Sequence, residues 1–214
     1  MKMSLSDHNT AVKLIWKLLE AGLAEQLAKQ DNCNLYGWFR KTFLGNNGMS
    51  FADGATKAVF ISFDFDWVIK INLPGERNDY CARECENYRL AEERGLAYYF
   101  AATEYLGEFE GVHFYAQEYV NCDEGVDSEI YNSLRARYKS SDNDVDDDCL
   151  WDEVEELDAE ERVELLYNDD ALVRFIWECR INDLHCGNFG IKDDHYVMLD
   201  YSGFGDGVFR EREV

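Results

Sequence analysis

The sequence predicts an α+β fold. The strands of a small antiparallel sheet lie before and after one helix in the chain, and further helices precede and follow this segment. Two β-rich runs, residues 67–72 and 112–120, flank a helical stretch from about residue 78 to 94. Apolar residues also recur at helical spacing before residue 30 and after residue 123. We therefore expect a helical N-terminal extension (1–44), a sheet-containing segment (45–120) and a mainly helical segment (121–214).

The first helices are predicted from apolar residues at three- and four-residue intervals. Residues 9–30 carry such a stripe, and Gly22 is expected to break it. The stripe consists of Val12, Ile15, Leu18, Leu19, Leu23 and Leu27. A second short helix is predicted over residues 35–43.

In the sheet segment, a hairpin at Asp64 to Asp66 should lead into the strand that ends in Lys70. The following helix should end at Gly95, which suits a left-handed C-cap. Its spacing places Glu84 on the apolar face, whereas Glu86 points away. That face comprises Cys81, Glu84, Cys85, Tyr88 and Ala91.

The most informative residues lie near the C-terminus, in Asp183-Leu-His-Cys-Gly-Asn188 and Asp200-Tyr-Ser-Gly203. The first segment is a predicted loop after an amphipathic helix at 170–180, and Asp200 follows the predicted strand 195–199, which a hairpin at 193–194 precedes. Carboxylate and amide oxygens are ligands that suit magnesium. Phosphoryl transfer needs these groups, because its catalysis is mostly positioning and charge neutralisation.

This pattern resembles the catalytic loop and metal-binding strand end of the protein kinase-like superfamily. Asp-x-His-x-x-Asn is closer to its aminoglycoside and choline kinase branch, because protein kinases have Lys where His185 stands. The resemblance implies that Asp183 orients or deprotonates the acceptor hydroxyl and that His185 contacts the transferred group. It also implies that Asn188 and Asp200 bind Mg²⁺.

Residues upstream resemble other parts of the family in the same order. Lys70 resembles the lysine of the third strand, which binds nucleotide phosphates, and Glu84, fourteen residues later, would be its ion-pair partner. Residues 112–120 resemble a strand that runs into the hinge. The resemblance implies ATP binding there, with Gln117 as gatekeeper and with the Glu118 carbonyl and Val120 amide on adenine.

The glycine-rich loop is where the chain departs from the family, because no Gly-x-Gly-x-x-Gly precedes Lys70. Two shorter segments remain, residues 44–48 and 53–57. We favour residues 54–57 as the phosphate-facing turn, with Gly54 allowing close backbone approach and Lys57 acting as an extra cation.

Taken singly, these residues have structural explanations. Lys70 could be a solvated edge-strand lysine, Glu84 a surface charge and His185 a hydrogen-bonded structural residue. Their joint occurrence in family order favours a two-lobed kinase-like fold over residues 45–205. Only fourteen residues follow Asp200, so we expect a truncated C-terminal lobe, as in compact bacterial and bacteriophage proteins of this kind.

Composition restricts the class of protein. Hydrophobic residues make up 46% of the 214, no apolar run is long enough to span a membrane, and no signal peptide is recognisable. The seven cysteines, with no C-x-x-C pair, suggest free thiols in a reducing cytoplasm, which is the host cytoplasm if a phage encodes the chain. We assign no cysteine to a metal.

The net charge of -23 argues against direct binding to nucleic acid, which depends on lysine and arginine. Residues 142–170 contain fifteen Asp or Glu and one basic residue, Arg162. We expect a mobile loop at 140–148 and one or two acidic helices at 150–167. Their acidic face is either simply solvated or a docking surface for a basic protein.

Two functions follow. The first is an ATP- and magnesium-dependent phosphotransferase whose acceptor is a small molecule, a docked protein or the chain itself, with nucleotidyl transfer as a variant. The second is a pseudokinase with little or no activity that captures a basic host or DNA-binding protein through its acidic surface. We favour the first. The second is motivated by the incomplete glycine loop and by the truncated C-terminal lobe, which leaves no room for the peptide-substrate platform of protein kinases.

Overall fold

The structure is a computed structural model that describes residues 2–29, 34–43, 48–76, 78–123, 125–140 and 147–203. It confirms the α+β class. The chain divides into two compact units, which are described separately. The first unit comprises Met1–Leu90 and Ala101–Tyr119, and the second comprises Ala91–Phe100 and Val120–Val214.

The first unit contains a five-stranded antiparallel sheet with the strand order β1-β2-β3-β5-β4. The strands are β1 (Met49–Asp53), β2 (Lys57–Ser62), β3 (Trp67–Asn72), β4 (Thr103–Phe109) and β5 (Val112–Glu118). The central strand β3 is buried from Trp67 to Ile71. The turn between β2 and β3 confirms the hairpin predicted at Asp64 to Asp66.

Helices α1 (Leu5–Glu20), α2 (Leu23–Leu27) and α3 (Leu35–Phe43) belong to the same unit as the sheet. Gly22 has a φ of 91°, a left-handed conformation that suits glycine, so the predicted break is confirmed. Helix α1 contacts β3 and β4, and α3 contacts β1. Phe39 of α3 stacks on Phe51 of β1 with ring centroids 5.2 Å apart. The helical segment that precedes the sheet in the chain therefore packs against it.

Helix α4 (Tyr80–Glu93) follows the sheet's third strand. The carboxylate of Asp79 caps it by accepting a hydrogen bond from the Ala82 N–H at 2.8 Å. Gly95, at φ 75°, lies just beyond its end, as predicted. The predicted apolar face is confirmed, because Glu84 is fully buried whereas Glu86 is partly exposed and pairs with Arg89.

The second unit is mainly helical. It contains α5 (Val126–Ser140), α6 (Asp147–Glu156), α7 (Ala159–Tyr167), α8 (Asp170–Cys179) and the hairpin of β6 (Phe189–Lys192) with β7 (His195–Met198). The acidic segment forms two helices, α6 and α7. Of the residues predicted to form a mobile loop (140–148), Ser140 ends α5, and Asp147 and Asp148 begin α6. Residues 141–146 lie outside the described residues.

Buried aromatic side chains hold this unit together. Phe100, next to the 3-10 turn Ala97–Tyr99, makes edge contacts with Phe175 of α8 and with Tyr201. The hairpin turn predicted at Asp193 and Asp194 is confirmed, and both residues have positive φ. Within the described parts of the chain, no helix is both long and apolar enough to cross a membrane.

Candidate functional site

Two lysines of the first unit bind one buried glutamate. Nζ of Lys57 is 2.6 Å from Oε1 of Glu84, and Nζ of Lys70 is 2.8 Å from Oε2. Lys70 also donates to Oε1 of Gln117 at 3.1 Å. Glu84 is 0% exposed, and Lys57 and Lys70 are 5% and 4% exposed. We call Lys57, Lys70, Glu84 and Gln117 the lysine cluster.

The strand register explains why these side chains meet. Val59 of β2 pairs with Lys70 of β3, and Lys57 pairs with Asn72. Because paired residues and residues two apart share a face, both lysines project from the same side of the sheet. Glu84 reaches that side from the buried face of α4. The ion pair predicted between Lys70 and Glu84 is therefore confirmed, and Lys57 joins it.

Two thiols flank Glu84 on helix α4. Burial, followed by the Glu84 carboxylate, raises the pKa of Cys81 well above its usual value near 9.0. The same two causes raise the pKa of Cys85 to about 12. Both side chains are therefore neutral at physiological pH and contribute no thiolate chemistry to the lysine cluster.

Lys57 is the residue whose position differs most from the prediction. It is not an exposed cation of a turn, because it begins β2 with its ammonium buried against Glu84. The turn itself is closed by a hydrogen bond from the Gly54 N–H to the Lys57 carbonyl at 3.0 Å. A Cβ at Gly54 would meet nothing within 4 Å in the described structure, so packing does not require glycine there. The alternative segment is described only at Gly48.

The residues predicted to bind adenine lie at and after the end of β5. Gln117 and Glu118 are its last two residues, and Gln117 is fixed on both sides of its amide, by Lys70 and by the hydroxyl of Thr103. Val120 follows in an irregular segment that belongs to the second unit. Their binding to adenine stays a prediction.

The second candidate group lies at the open end of the β6–β7 hairpin. Asn188 immediately precedes β6 and Asp200 follows β7, so the antiparallel pairing brings their backbones to the same end. A hydrogen bond from the Leu199 N–H to the Asn188 carbonyl, at 2.8 Å, extends that pairing by one residue. The loop with Asp183 leads directly into this end. We call Asp183, His185, Asn188 and Asp200 the aspartate loop group.

Asn188 connects the members of this group. Its side chain is largely buried, and Nδ2 donates to the backbone carbonyl of Asp183 at 2.6 Å. That bond fixes the amide orientation and leaves Oδ1 on the opposite side, where it can act as an oxygen ligand. The Asp183 carboxylate is 30% exposed, so a substrate hydroxyl can reach it.

His185 lies beside Asp183 but does not bind it directly. Its Nδ1 accepts a hydrogen bond from the Gly187 N–H at 3.1 Å, which leaves the proton of the neutral ring on Nε2. Nε2 is 4.0 Å from Oδ1 of Asp183, too far for a hydrogen bond. The ring is 60% exposed and could donate to a bound anion.

A glycine that sequence reasoning did not select as a site residue holds the segment after Asp200 in place. Gly203 has a φ of 67°, and a Cβ there would lie 2.1 Å from the carbonyl oxygen of Arg180. Residues 200–203 therefore run against the chain that leads into Asp183. The Asp200 carboxylate accepts a hydrogen bond from the Ser202 hydroxyl at 3.1 Å. Gly203 belongs to the Asp-Tyr-Ser-Gly segment that the sequence singles out. Its contact with Arg180 could not be recognised, because the two residues are distant in the sequence.

The donor set suits a cation that arrives with its ligand. Magnesium is commonly held by one or two protein oxygens together with substrate phosphates and water, and Asn188 and Asp200 could supply two. Among the described residues, no group of three or more His, Cys, Asp or Glu is arranged to hold a metal.

The lysine cluster lies in the first unit, and the aspartate loop group lies in the second. No protein-family model matches the chain, and neither does any curated protein or any solved structure.

Proposed function

We propose that the chain is an ATP- and magnesium-dependent phosphotransferase of kinase-like, two-lobed fold. The observation that carries the proposal is the buried contact between Lys70 and Glu84. The resemblance to the kinase-like family predicts this pair, and helical spacing selects Glu84 rather than Glu86. A fully buried carboxylate requires a strong partner to offset its desolvation. Such a pair fixes a lysine ammonium where it can bind phosphate oxygens.

In this reaction the residues of the chain position the reactants. Lys70, held between Glu84 and Gln117 and only 4% exposed, binds the nucleotide phosphates, which requires its ammonium to become accessible when ATP binds. Asn188 and Asp200 provide oxygen ligands for magnesium, which when bound neutralises phosphate charge. Asp183 orients the acceptor hydroxyl or accepts its proton, and the Nε2–H of His185 donates to the transferred group.

A thermal shift measurement tests nucleotide binding. ATP at 100 times its dissociation constant stabilises a protein by about 2.7 kcal/mol, so we expect a rise in melting temperature with ATP and magnesium. Asp200→Ala should abolish the magnesium-dependent part, whereas the control Asp194→Ala, in the hairpin turn, should retain it. No shift in the wild type at millimolar magnesium-ATP would refute the proposal.

A labelling experiment identifies the reaction. Wild-type protein is incubated with magnesium and ATP labelled at either the α- or the γ-phosphate, with and without cell lysate. Transfer of the γ-label, lost in Asp183→Ala, supports phosphoryl transfer, whereas transfer of the α-label indicates nucleotidyl transfer. No transfer of either label, despite magnesium-dependent ATP binding, would favour the pseudokinase.

A groove in the second unit favours a second function, in which the chain is a pseudokinase that binds a basic protein. It has a volume of about 420 Å³ and is lined by Glu160, Glu164, Asp170, Val173, Arg174 and Trp177. The Trp177 ring is 51% exposed. Burial, and to a smaller extent the nearby Asp158 and Glu161, raise the pKa of Glu160. Carboxylates beside an exposed indole suit lysine or arginine side chains.

Charge reversal tests this interaction role. Titration of a lysine- and arginine-rich peptide should show binding that weakens at higher salt and is lost in the triple variant Glu160→Lys, Glu164→Lys, Asp170→Lys. The triple variant Glu20→Lys, Glu25→Lys, Glu76→Lys, at exposed positions of the first unit, changes the net charge by the same amount and serves as the control. Equal loss in both variants would mean that only net charge matters, and would exclude the groove as a docking site.

A further inference from the structure

The Glu84 carboxylate is divided between two strands. Oε1 binds Lys57 of β2 at 2.6 Å and Oε2 binds Lys70 of β3 at 2.8 Å. Helix α4 supplies Glu84 itself, so three elements of the first unit meet at one carboxylate. Both ammonium groups are about 95% buried.

One lysine would not define the orientation of this carboxylate. The terminal torsion of a glutamate side chain is broad, because rotation about its sp³–sp² bond meets only a low barrier. A single donor bound to one oxygen leaves that rotation open. Donors on both oxygens, approaching from different strands, fix the plane of the group and therefore the place of Oε2.

The position of Lys70 depends on that plane. Its ammonium is bound by Oε2 of Glu84 on one side and by Oε1 of Gln117 on the other. The Gln117 amide is in turn oriented by its hydrogen bond to Thr103 at 3.3 Å. A rotation of the Glu84 carboxylate would therefore move an acceptor that positions the Lys70 ammonium.

We infer that Lys57 is a positioning residue: by binding Oε1 of Glu84 it orients the carboxylate that places Lys70 for phosphoryl transfer. This inference rests on the proposed function. It differs from a role in which Lys57 binds the nucleotide directly, because here Lys57 acts through Glu84. The two roles make different kinetic predictions.

Steady-state turnover of magnesium-ATP, as autophosphorylation or hydrolysis, separates them. Lys57→Met should lower kcat by about 10- to 100-fold, because a small misplacement of a catalytic group is costly, and should change KM for ATP by no more than about twofold. Lys57→Arg, which keeps the positive charge, should recover part of kcat. The double variant Lys57→Met, Glu84→Gln should be no slower than Glu84→Gln alone, within about twofold, because both changes remove the same effect.

A destabilised control excludes a merely structural role. Phe60→Leu, in the buried part of β2, should lower the melting temperature with little effect on kcat at temperatures where the protein is folded. If Phe60→Leu lowers kcat as much as Lys57→Met does at equal stability, the positioning role is wrong. A raised KM with additive loss in the double variant would instead assign Lys57 to direct nucleotide binding. An inactive wild type would refute the proposed function, and this inference with it.

Discussion

Asn188 donates a hydrogen bond from its side-chain amide to the backbone carbonyl of Asp183, 2.6 Å away, and so connects the loop to the start of β6. The carbonyl of the same asparagine accepts from Leu199, the residue before Asp200. Asn188 therefore holds both the backbone of Asp183 and the residue that precedes Asp200. Its loss should affect metal binding and positioning together.

Asn188→Ala should remove the magnesium-dependent part of the ATP thermal shift and lower phosphate transfer by about 100-fold or more. Asn188→Asp retains an oxygen ligand but replaces the donor with a carboxylate that cannot donate to the Asp183 carbonyl. It should keep part of the magnesium dependence while turnover falls. Asn132→Ala, on the exposed side of α5, is the control. Magnesium dependence that survives in Asn188→Ala would remove this residue from the metal site.

Arg162 of α7 is a buried cation that connects its helix to α5 and α6. Its guanidinium binds the Asp127 carboxylate at 2.8 Å and the carbonyls of Val154 and Leu157. Arg162→Ala should lower the free energy of unfolding by about 2 to 4 kcal/mol, because two carbonyls lose their donor and packing is lost. The measurement is urea denaturation followed by circular dichroism.

Arg137 provides the matched control for that experiment, because it pairs with Glu164 at 2.9 Å with both side chains about half exposed. An exposed pair contributes at most about 1 kcal/mol, so Arg137→Ala should have a small effect. Equal losses in the two variants would contradict the structural role assigned to Arg162.

The elements that sequence reasoning predicted well are those defined by local periodicity. The apolar face of α4 could be recognised, and with it the burial of Glu84, because helical spacing depends only on neighbouring residues. The helix boundaries at Gly22 and Gly95 followed from the left-handed conformation that glycine adopts easily. Periodicity shows that a face is buried but not what covers it, so the packing of α1 and α3 on the sheet could not be predicted.

Contacts between distant segments account for what the sequence did not reveal. Lys57 was assigned to a turn, because the predicted hairpin at Asp64 to Asp66 gives the position of the turn but not the register. The observed register pairs Val59 with Lys70 and so places Lys57 on the same face, whereas a shift of one residue would reverse its face. The approach of Gly203 to Arg180 could not be predicted either, because it depends on how the end of the hairpin packs on the loop before it.

Gly203→Ala should destabilise the protein by more than the replacement of a left-handed glycine usually does. Its Cβ would lie 2.1 Å from the Arg180 carbonyl oxygen, so the segment that carries Asp200 would have to move. We expect loss of the magnesium-dependent ATP shift and a lower melting temperature.

Gly95→Ala is the control, because Gly95 has a similar φ of 75° and nothing within 4 Å of its Cβ position among the described residues. It should cost about 1 kcal/mol and leave ATP binding intact. Retained binding in Gly203→Ala would show that this contact does not hold the site.

The hydrogen bond between Tyr99 and Asp169 should make stability depend on pH. The Tyr99 hydroxyl donates to the Asp169 carboxylate at 2.7 Å. That bond, and next the Leu172 N–H, lower the pKa of Asp169 below its usual value near 3.8. Because the folded pKa is lowered, the contribution of Asp169 to stability is present above pH 3.8 and is lost as pH falls through the folded pKa.

On the alkaline side, burial and then Asp169 raise the pKa of Tyr99 from 10.0 to about 12. The neutral phenol of Tyr99 therefore contributes fully to the free energy of unfolding below pH 10, and this contribution is lost as pH rises through about 12. Asp169→Asn tests the acid side, because asparagine can still cap α8 but carries no charge. The drop in unfolding free energy between pH 7 and pH 3, measured by urea denaturation, should be smaller in this variant than in the wild type. Equal drops would show that Asp169 does not contribute to acid sensitivity.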